Sequence, residues 1–172
     1  IHVARTYCIE TFGCQMNVHD SERLAGLLEQ AGYESTPDAG DADLVIVNTC
    51  SVRERAEEKL YARLDRFRGR ATADRPVIAV TGCVAQQEGA RILARAPMVD
   101  VVVGTQAMTR LPQLVDRAMQ GASASVDLDP HDDVSFPLGI AVRNDPVKAF
   151  VTIIEGCNEF CAFCVVPYTR GH

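Results

Sequence analysis

Apolar residues along the first two thirds of the chain fall into two alternating patterns. Leu44-Val45-Ile46-Val47, Val77-Ile78-Ala79-Val80 and Val101-Val102-Val103 are short continuous runs, the pattern of parallel strands covered on both faces. Residues 5–11 predict an earlier strand, and residues 33–36 a short edge strand. Between the runs, apolar positions recur at helical spacing. A first helix is expected over residues 19–31, with Leu24, Leu27, Leu28 and Ala31 on one face and Gly32 just past its end. A second opens at Ser51-Val52-Arg53-Glu54, a capping-box pattern, and repeats Val52, Ala56, Leu60, Leu64 and Phe67. A third is expected over residues 84–96, stopped by Pro97, and a fourth carries Leu111, Leu114, Val115 and Ala118 and ends near Gly121. Strand and helix alternating over short connections predict an α/β domain over residues 1–121. Its expected form is a flavodoxin-like, doubly wound parallel sheet of about five strands in the order 2-1-3-4-5.

Residues 122–147 change character. Asp127, Asp129, Asp132, Asp133 and Asp145 stand against a lone Arg143, with Pro130, Pro137 and Pro146 among them and no apolar period, so a linker is expected here. Residues 148–154 read as a new strand, followed by a cysteine-rich loop up to His172.

Composition narrows the class. Of 172 residues, 47% are hydrophobic and 23% charged, a balance that permits a buried core and excludes a largely disordered chain. No apolar run approaches the roughly 20 residues of a membrane helix, and the first residues lack a signal-peptide stretch, so the expected location is the cytoplasm, with no membrane partner. The net charge of −6 excludes a generic polyanion binder and restricts any nucleic-acid contact to a local basic face. Seven cysteines in a chain without an export signal point to metal or catalysis rather than to disulfides. Trp is absent and aromatics make up 6%, which argues against an aromatic platform for stacking bases.

Three cysteines, far apart in sequence, each follow the end of a predicted strand: Phe12-Gly13-Cys14, Asn48-Thr49-Cys50 and Thr81-Gly82-Cys83. In the expected strand order these are neighbours about 4.8 Å apart, so the thiols should meet at the carboxyl edge of the sheet, where such folds bind ligands. Three thiolates suit an iron–sulfur cluster with one iron lacking a protein ligand, whereas structural zinc normally takes four ligands. Cys8 lies inside a strand and reads as packing. Cys157, Cys161 and Cys164 form a C-x₃-C-x₂-C loop, which can wrap three corners of a cubane cluster and leave the fourth iron open. A zinc site would have to recruit His172. No G-x-G-x-x-G follows the first strand, since Gly13-Cys14-Gln15-Met16-Asn17 offers a single glycine, and this speaks against a nucleotide-binding module.

The C-x₃-C-x₂-C loop with Phe163 before its last cysteine resembles the radical S-adenosylmethionine signature. The dispersed Cys14, Cys50 and Cys83, with Thr11-Phe12-Gly13-Cys14-Gln15-Met16-Asn17, Asp20-Ser21-Glu22, Thr81-Gly82-Cys83 and Val165-Val166-Pro167-Tyr168-Thr169-Arg170-Gly171, resemble the methylthiotransferase family, and within it the branch acting on isopentenyladenosine beside the tRNA anticodon. The resemblance implies two 4Fe-4S clusters and S-adenosylmethionine as cofactors. Cys157, Cys161 and Cys164 would hold the cluster that binds S-adenosylmethionine, with Phe163 near its adenine, and Cys14, Cys50 and Cys83 the auxiliary cluster that provides sulfur. It further implies tRNA as substrate and a flavodoxin- or ferredoxin-type electron donor. A radical barrel needs on the order of 200 residues, so residues 148–172 are expected to be its start in a fragment of a longer enzyme that cannot turn over alone. Two alternatives remain at this stage: a methylthiotransferase acting on a ribosomal protein or on threonylcarbamoyladenosine, and an iron–sulfur electron carrier.

Residues 53–70 carry seven basic residues against four acidic ones. Arg63, Arg66 and Arg70, at spacings of three and four, are either a stripe for tRNA phosphates or part of a helix face laced with ion pairs.

Overall fold

The computed structural model describes residues 4–51, 55–71, 75–130, 139–143 and 145–172. Six parallel strands form one sheet: β1 (Arg5–Phe12), β2 (Tyr33–Ser35), β3 (Leu44–Thr49), β4 (Val77–Gly82), β5 (Val101–Val103) and β6 (Ser125–Asp127). Their order is β2-β1-β3-β4-β5-β6, the expected order with a sixth strand added. The helices are α1 (Gln15–Gln30), α2 (Ala56–Leu64), α3 (Cys83–Glu88), α4 (Ala90–Arg95), α5 (Leu111–Met119) and α6 (Val166–Arg170).

The continuous apolar runs are explained by two separate cores. Leu44, Ile46, Ala79, Val101 and Val103 pack with Leu24 and Leu28 of α1 and Leu111 and Val115 of α5. Val45, Val47, Ile78, Val80 and Val102 face the other way, onto Leu60 and Leu64 of α2, Phe67, Val84 and Ile92. Successive strand residues point to opposite faces, and helices cover both, so every residue of β3 is buried.

Four departures from the sequence pattern have physical causes. First, α1 begins at Gln15, four residues before the expected start, because in its first turn the apolar Met16 and Val18 are exposed and the buried position is Asn17, so the turn shows no apolar face. Second, the single helix expected over residues 84–96 is two, α3 and α4, broken at Gly89, whose φ of +50° no helix can continue; a side chain there would strike Leu128. Third, the expected linker contributes β6, which pairs with β5 in register Val101↔Ser125 to Val103↔Asp127. A three-residue edge strand with one apolar residue leaves no periodic trace. Arg110 fixes it by pairing with Asp127. Fourth, residues 148–154 form no strand. Val151, Ile153 and Ile154 are exposed there, and among the described residues no sheet edge pairs with this segment. The Val52-Arg53-Glu54 part of the expected capping box and most of the expected linker, residues 131–138, lie outside the described residues.

Residues 139–143 pack along α1. Val142 donates its N–H to the Glu22 carbonyl at 2.9 Å, and a β-carbon on Gly26 would fall on the Ile140 carbonyl. Ala is the better helix former by about 1 kcal/mol, yet Gly26→Ala is expected to lower the urea midpoint because this contact must open. A raised midpoint would show that residues 139–143 do not pack there.

Candidate metal centre

The carboxyl edge of β1, β3 and β4 is built by two glycines and two asparagines. In register, Phe12 faces Thr49 and Thr49 faces Gly82, and the Cys50 N–H donates to the Phe12 carbonyl at 3.0 Å. Cys14, Cys50 and Cys83 therefore leave three adjacent strands at the same edge. Gly82, at φ +94°, leaves no room for a side chain, which would meet the Thr49 backbone and Asn48 Oδ1. Gly13 is closed in the same way by Asn17 Oδ1.

Asn17 and Asn48 are fully buried and bind each other across the crevice. Asn17 Nδ2 donates to Asn48 Oδ1 at 3.1 Å, and Asn48 Nδ2 donates to the Asn17 carbonyl and to Ser21 Oγ, both at 2.9 Å. Asn17 Oδ1 accepts from the Cys14 N–H at 3.2 Å and from its Sγ at 3.4 Å. One side-chain network thus sets the Cys14 turn against β3. The sequence displayed both asparagines beside the cysteines, but their role depends on a contact between residues 31 positions apart.

Cys50 and Cys83 are almost entirely buried, Cys14 is half-buried, and all seven cysteines are free. Burial pushes the Cys83 thiol above its ordinary range, with Arg170 acting against the shift and Cys50 adding to it. Cys8 is buried in β1 and shifted upward for the same first reason. Several buried polar atoms near these thiols lack partners among the described residues: Ser51 Oγ next to Cys50, Thr81 Oγ1 two residues before Cys83, and Arg170 Nη2. Among the described residues, no three His, Cys, Asp or Glu side chains converge closely enough to hold a metal ion.

The second cysteine set has an anchored stem and an exposed tip. Cys157 donates its N–H to the Gly171 carbonyl at 3.0 Å, and Cys164 donates its own to the Cys161 carbonyl at 3.1 Å. Cys157 and Cys164 are half-buried, Cys161 is exposed, and the Phe163 side chain is wholly exposed. Phe160 packs against Tyr168 and His172 instead. At the base, Glu155 pairs with Arg23 of α1 at 2.5 Å and Arg170 with Asp20 at 2.6 Å.

The arginine-rich helix follows the ion-pair reading. Arg63 is held by both carboxylate oxygens of Glu10, Arg68 pairs with Asp65, and Arg95 pairs with Glu57 over the Tyr61 ring. Arg63 and Arg70 both lie over the Phe67 ring. With Arg63 only 13% exposed and engaged by Glu10, the Arg63, Arg66 and Arg70 stripe is not a set of cations presented together to phosphate.

Residues 6–104 match the uncharacterized protein family UPF0004. The chain belongs to that family. The matched span contains Cys14, Cys50 and Cys83 and stops before Cys157. Three curated relatives named tRNA-2-methylthio-N(6)-dimethylallyladenosine synthase are similar to nearly the whole chain. The Erythrobacter litoralis protein is 49% identical over 171 residues, 99% of this chain and 38% of the relative. The Sphingopyxis alaskensis protein is 51% identical over 168 residues, 97% and 37% respectively, and that of Geobacter metallireducens 50% over 164 residues, 95% and 37%. The UPF0004 chain thus spans less than two fifths of the length of these relatives. No helix among the described residues is long and apolar enough to cross a membrane.

A short alkylation pulse on the metal-free chain, mapped by mass spectrometry, is expected to mark Cys161 first and Cys8, Cys50 and Cys83 last. Because burial raises its pKa, Cys83 carries less thiolate near neutrality, and its labelling should keep rising with pH after a free cysteine has levelled. Early marking of Cys83 would contradict the packing at the start of α3.

Proposed function

We propose that this chain is part of a tRNA methylthiotransferase that places a methylthio group on C2 of isopentenyladenosine beside the anticodon. The observation that carries this reading is the delivery of Cys14, Cys50 and Cys83 to one edge by three adjacent strands, joined to about half-identity with relatives bearing that name. The donor set is soft and unoxidised, suited to iron–sulfur ligation, and unsatisfied polar atoms beside Cys50 and Cys83 suit an inorganic group with acceptor sulfur atoms.

In this reading Cys14, Cys50 and Cys83 would hold an auxiliary 4Fe-4S cluster, and Cys157, Cys161 and Cys164 would hold a second, together with S-adenosylmethionine. When bound, these groups supply the one-electron chemistry and the sulfur needed to replace hydrogen on an unactivated aromatic carbon. The chain's own residues prepare the sites. Cys14 stands at the N-cap of α1, at the positive end of the helix, and Asn17 fixes the turn. Burial of Cys50 and Cys83 keeps water from that side of the edge. The exposed Phe163 ring is the aromatic surface available to the adenine of S-adenosylmethionine. A flavodoxin- or ferredoxin-type donor supplies electrons, and the enzyme works in the cytoplasm.

Anaerobic reconstitution of the chain with iron and sulfide tests this. About four iron atoms are expected on each cysteine set, with Cys14→Ala, Cys50→Ala or Cys83→Ala removing one share and Cys157→Ala, Cys161→Ala or Cys164→Ala the other. Stoichiometric zinc with no acid-labile sulfide would overturn the reading.

A further inference from the structure

The last helix of the chain places a buried cation at the first cysteine set. Arg170 closes α6 and is only 7% exposed. Its Nη1 lies 2.6 Å from Asp20 Oδ2 of α1. Asp20 is also approached by Arg23 at 3.9 Å, and Arg23 pairs with Glu155, so α1 grips both ends of the segment carrying Cys157, Cys161 and Cys164. α6 packs on α3, whose first residue is Cys83, and the Arg170 guanidinium lies beside that thiol. Its Nη2 has no acceptor among the described residues, and a buried donor left unsatisfied is costly.

The adjoining backbone is closely fitted. The Thr105 hydroxyl donates to the Thr169 carbonyl, and Gln106 Nε2 donates to the Arg170 carbonyl at 3.2 Å. The Gly171 carbonyl accepts from the Cys157 N–H. Gly156 and Gly171 both have positive φ; a side chain on Gly156 would fall on the Gly171 carbonyl, and one on Gly171 on Gln106. One route from the Cys83 thiol to the Cys157 backbone therefore runs through Arg170 and Gly171.

We propose that Arg170 is a positioning residue for the Cys14, Cys50 and Cys83 site: its buried guanidinium compensates the negative charge of the group those thiolates hold, and through Gly171 it fixes the Cys157 loop against the same edge. This rests on the iron–sulfur reading above. What separates the role from a plain structural strap is that Asp20 engages only one side of the guanidinium, leaving the rest turned to the Cys83 thiol.

The test uses the chain with Cys157, Cys161 and Cys164 replaced by alanine, reconstituted anaerobically so that iron reports on the first set alone. Two variants are compared with this background by redox titration followed by electron paramagnetic resonance, and by iron retention against a chelator. Arg170→Lys keeps the charge and removes the second donor. Asp20→Asn with Arg170→Gln removes the ion pair, so the cation at Cys83 is lost without leaving an unpaired buried ion. Removing the pair takes away the cation at Cys83 together with its more distant counter-ion, which disfavours the reduced, more negative state, so the paired variant is expected to shift the balance severalfold towards the oxidised state and to lose iron faster. Arg170→Lys should shift the same way by less. Should the paired variant keep both the potential and the iron retention of the background, the proposal fails while the iron–sulfur reading stands, even if thermal stability drops. A background protein that takes up no iron or sulfide overturns both.

Discussion

Covering both faces of a parallel sheet decides where chemistry can happen in this molecule. With all of β3 buried and helices on each side, no strand side chain in the middle of the sheet can reach a ligand. Only the carboxyl ends, where each strand gives way to a helix, stay open to polar groups. The reversal of strand order between β1 and β3 sends neighbouring connections to opposite faces and opens the crevice there. Cys14, Cys50 and Cys83 occupy the three ends beside it.

Asn17 and Asn48 survive burial at that edge because each is satisfied by a partner distant in sequence. Asn17 and Asn48 exchange hydrogen bonds across the crevice, and the close approach of β3 and β4 requires a glycine at position 82. The Asp20–Arg170 pair is more demanding, since removing one partner of a buried pair typically costs about 3–5 kcal/mol. Burial opposes the charge on Arg170, but Asp20 and Cys83 hold its pKa above the ordinary range. That pair ties α6 to α1, and with the Arg23–Glu155 pair it brings the second cysteine loop to the domain that carries the first cysteine set.

Charge on the outer helices serves a different end. Arg63 lies between Glu10 of β1 and the Phe67 ring, and Arg95 joins Glu57 over Tyr61. These contacts fasten α2 to the sheet and to α4. A basic run in the sequence therefore became packing, because carboxylates and aromatic rings lay within reach once the helix was docked.

The sequence by itself determined the sheet order of the first five strands, since continuous apolar runs separated by helical periods admit few windings. It also determined that three cysteines leave the sheet at strand ends, because each follows its apolar run directly. What it could not carry was any feature stabilised by contact rather than by period. β6 exists through pairing with β5 and Arg110, Gly89 splits a helix under the Leu128 side chain, and residues 148–154 form no strand where no partner edge is offered. The partnership of Asn17 with Asn48 and the seat of Arg170 between Asp20 and Cys83 were likewise decided by tertiary structure alone. A buried polar side chain is stable only opposite its partner, and that partner can lie anywhere in the chain.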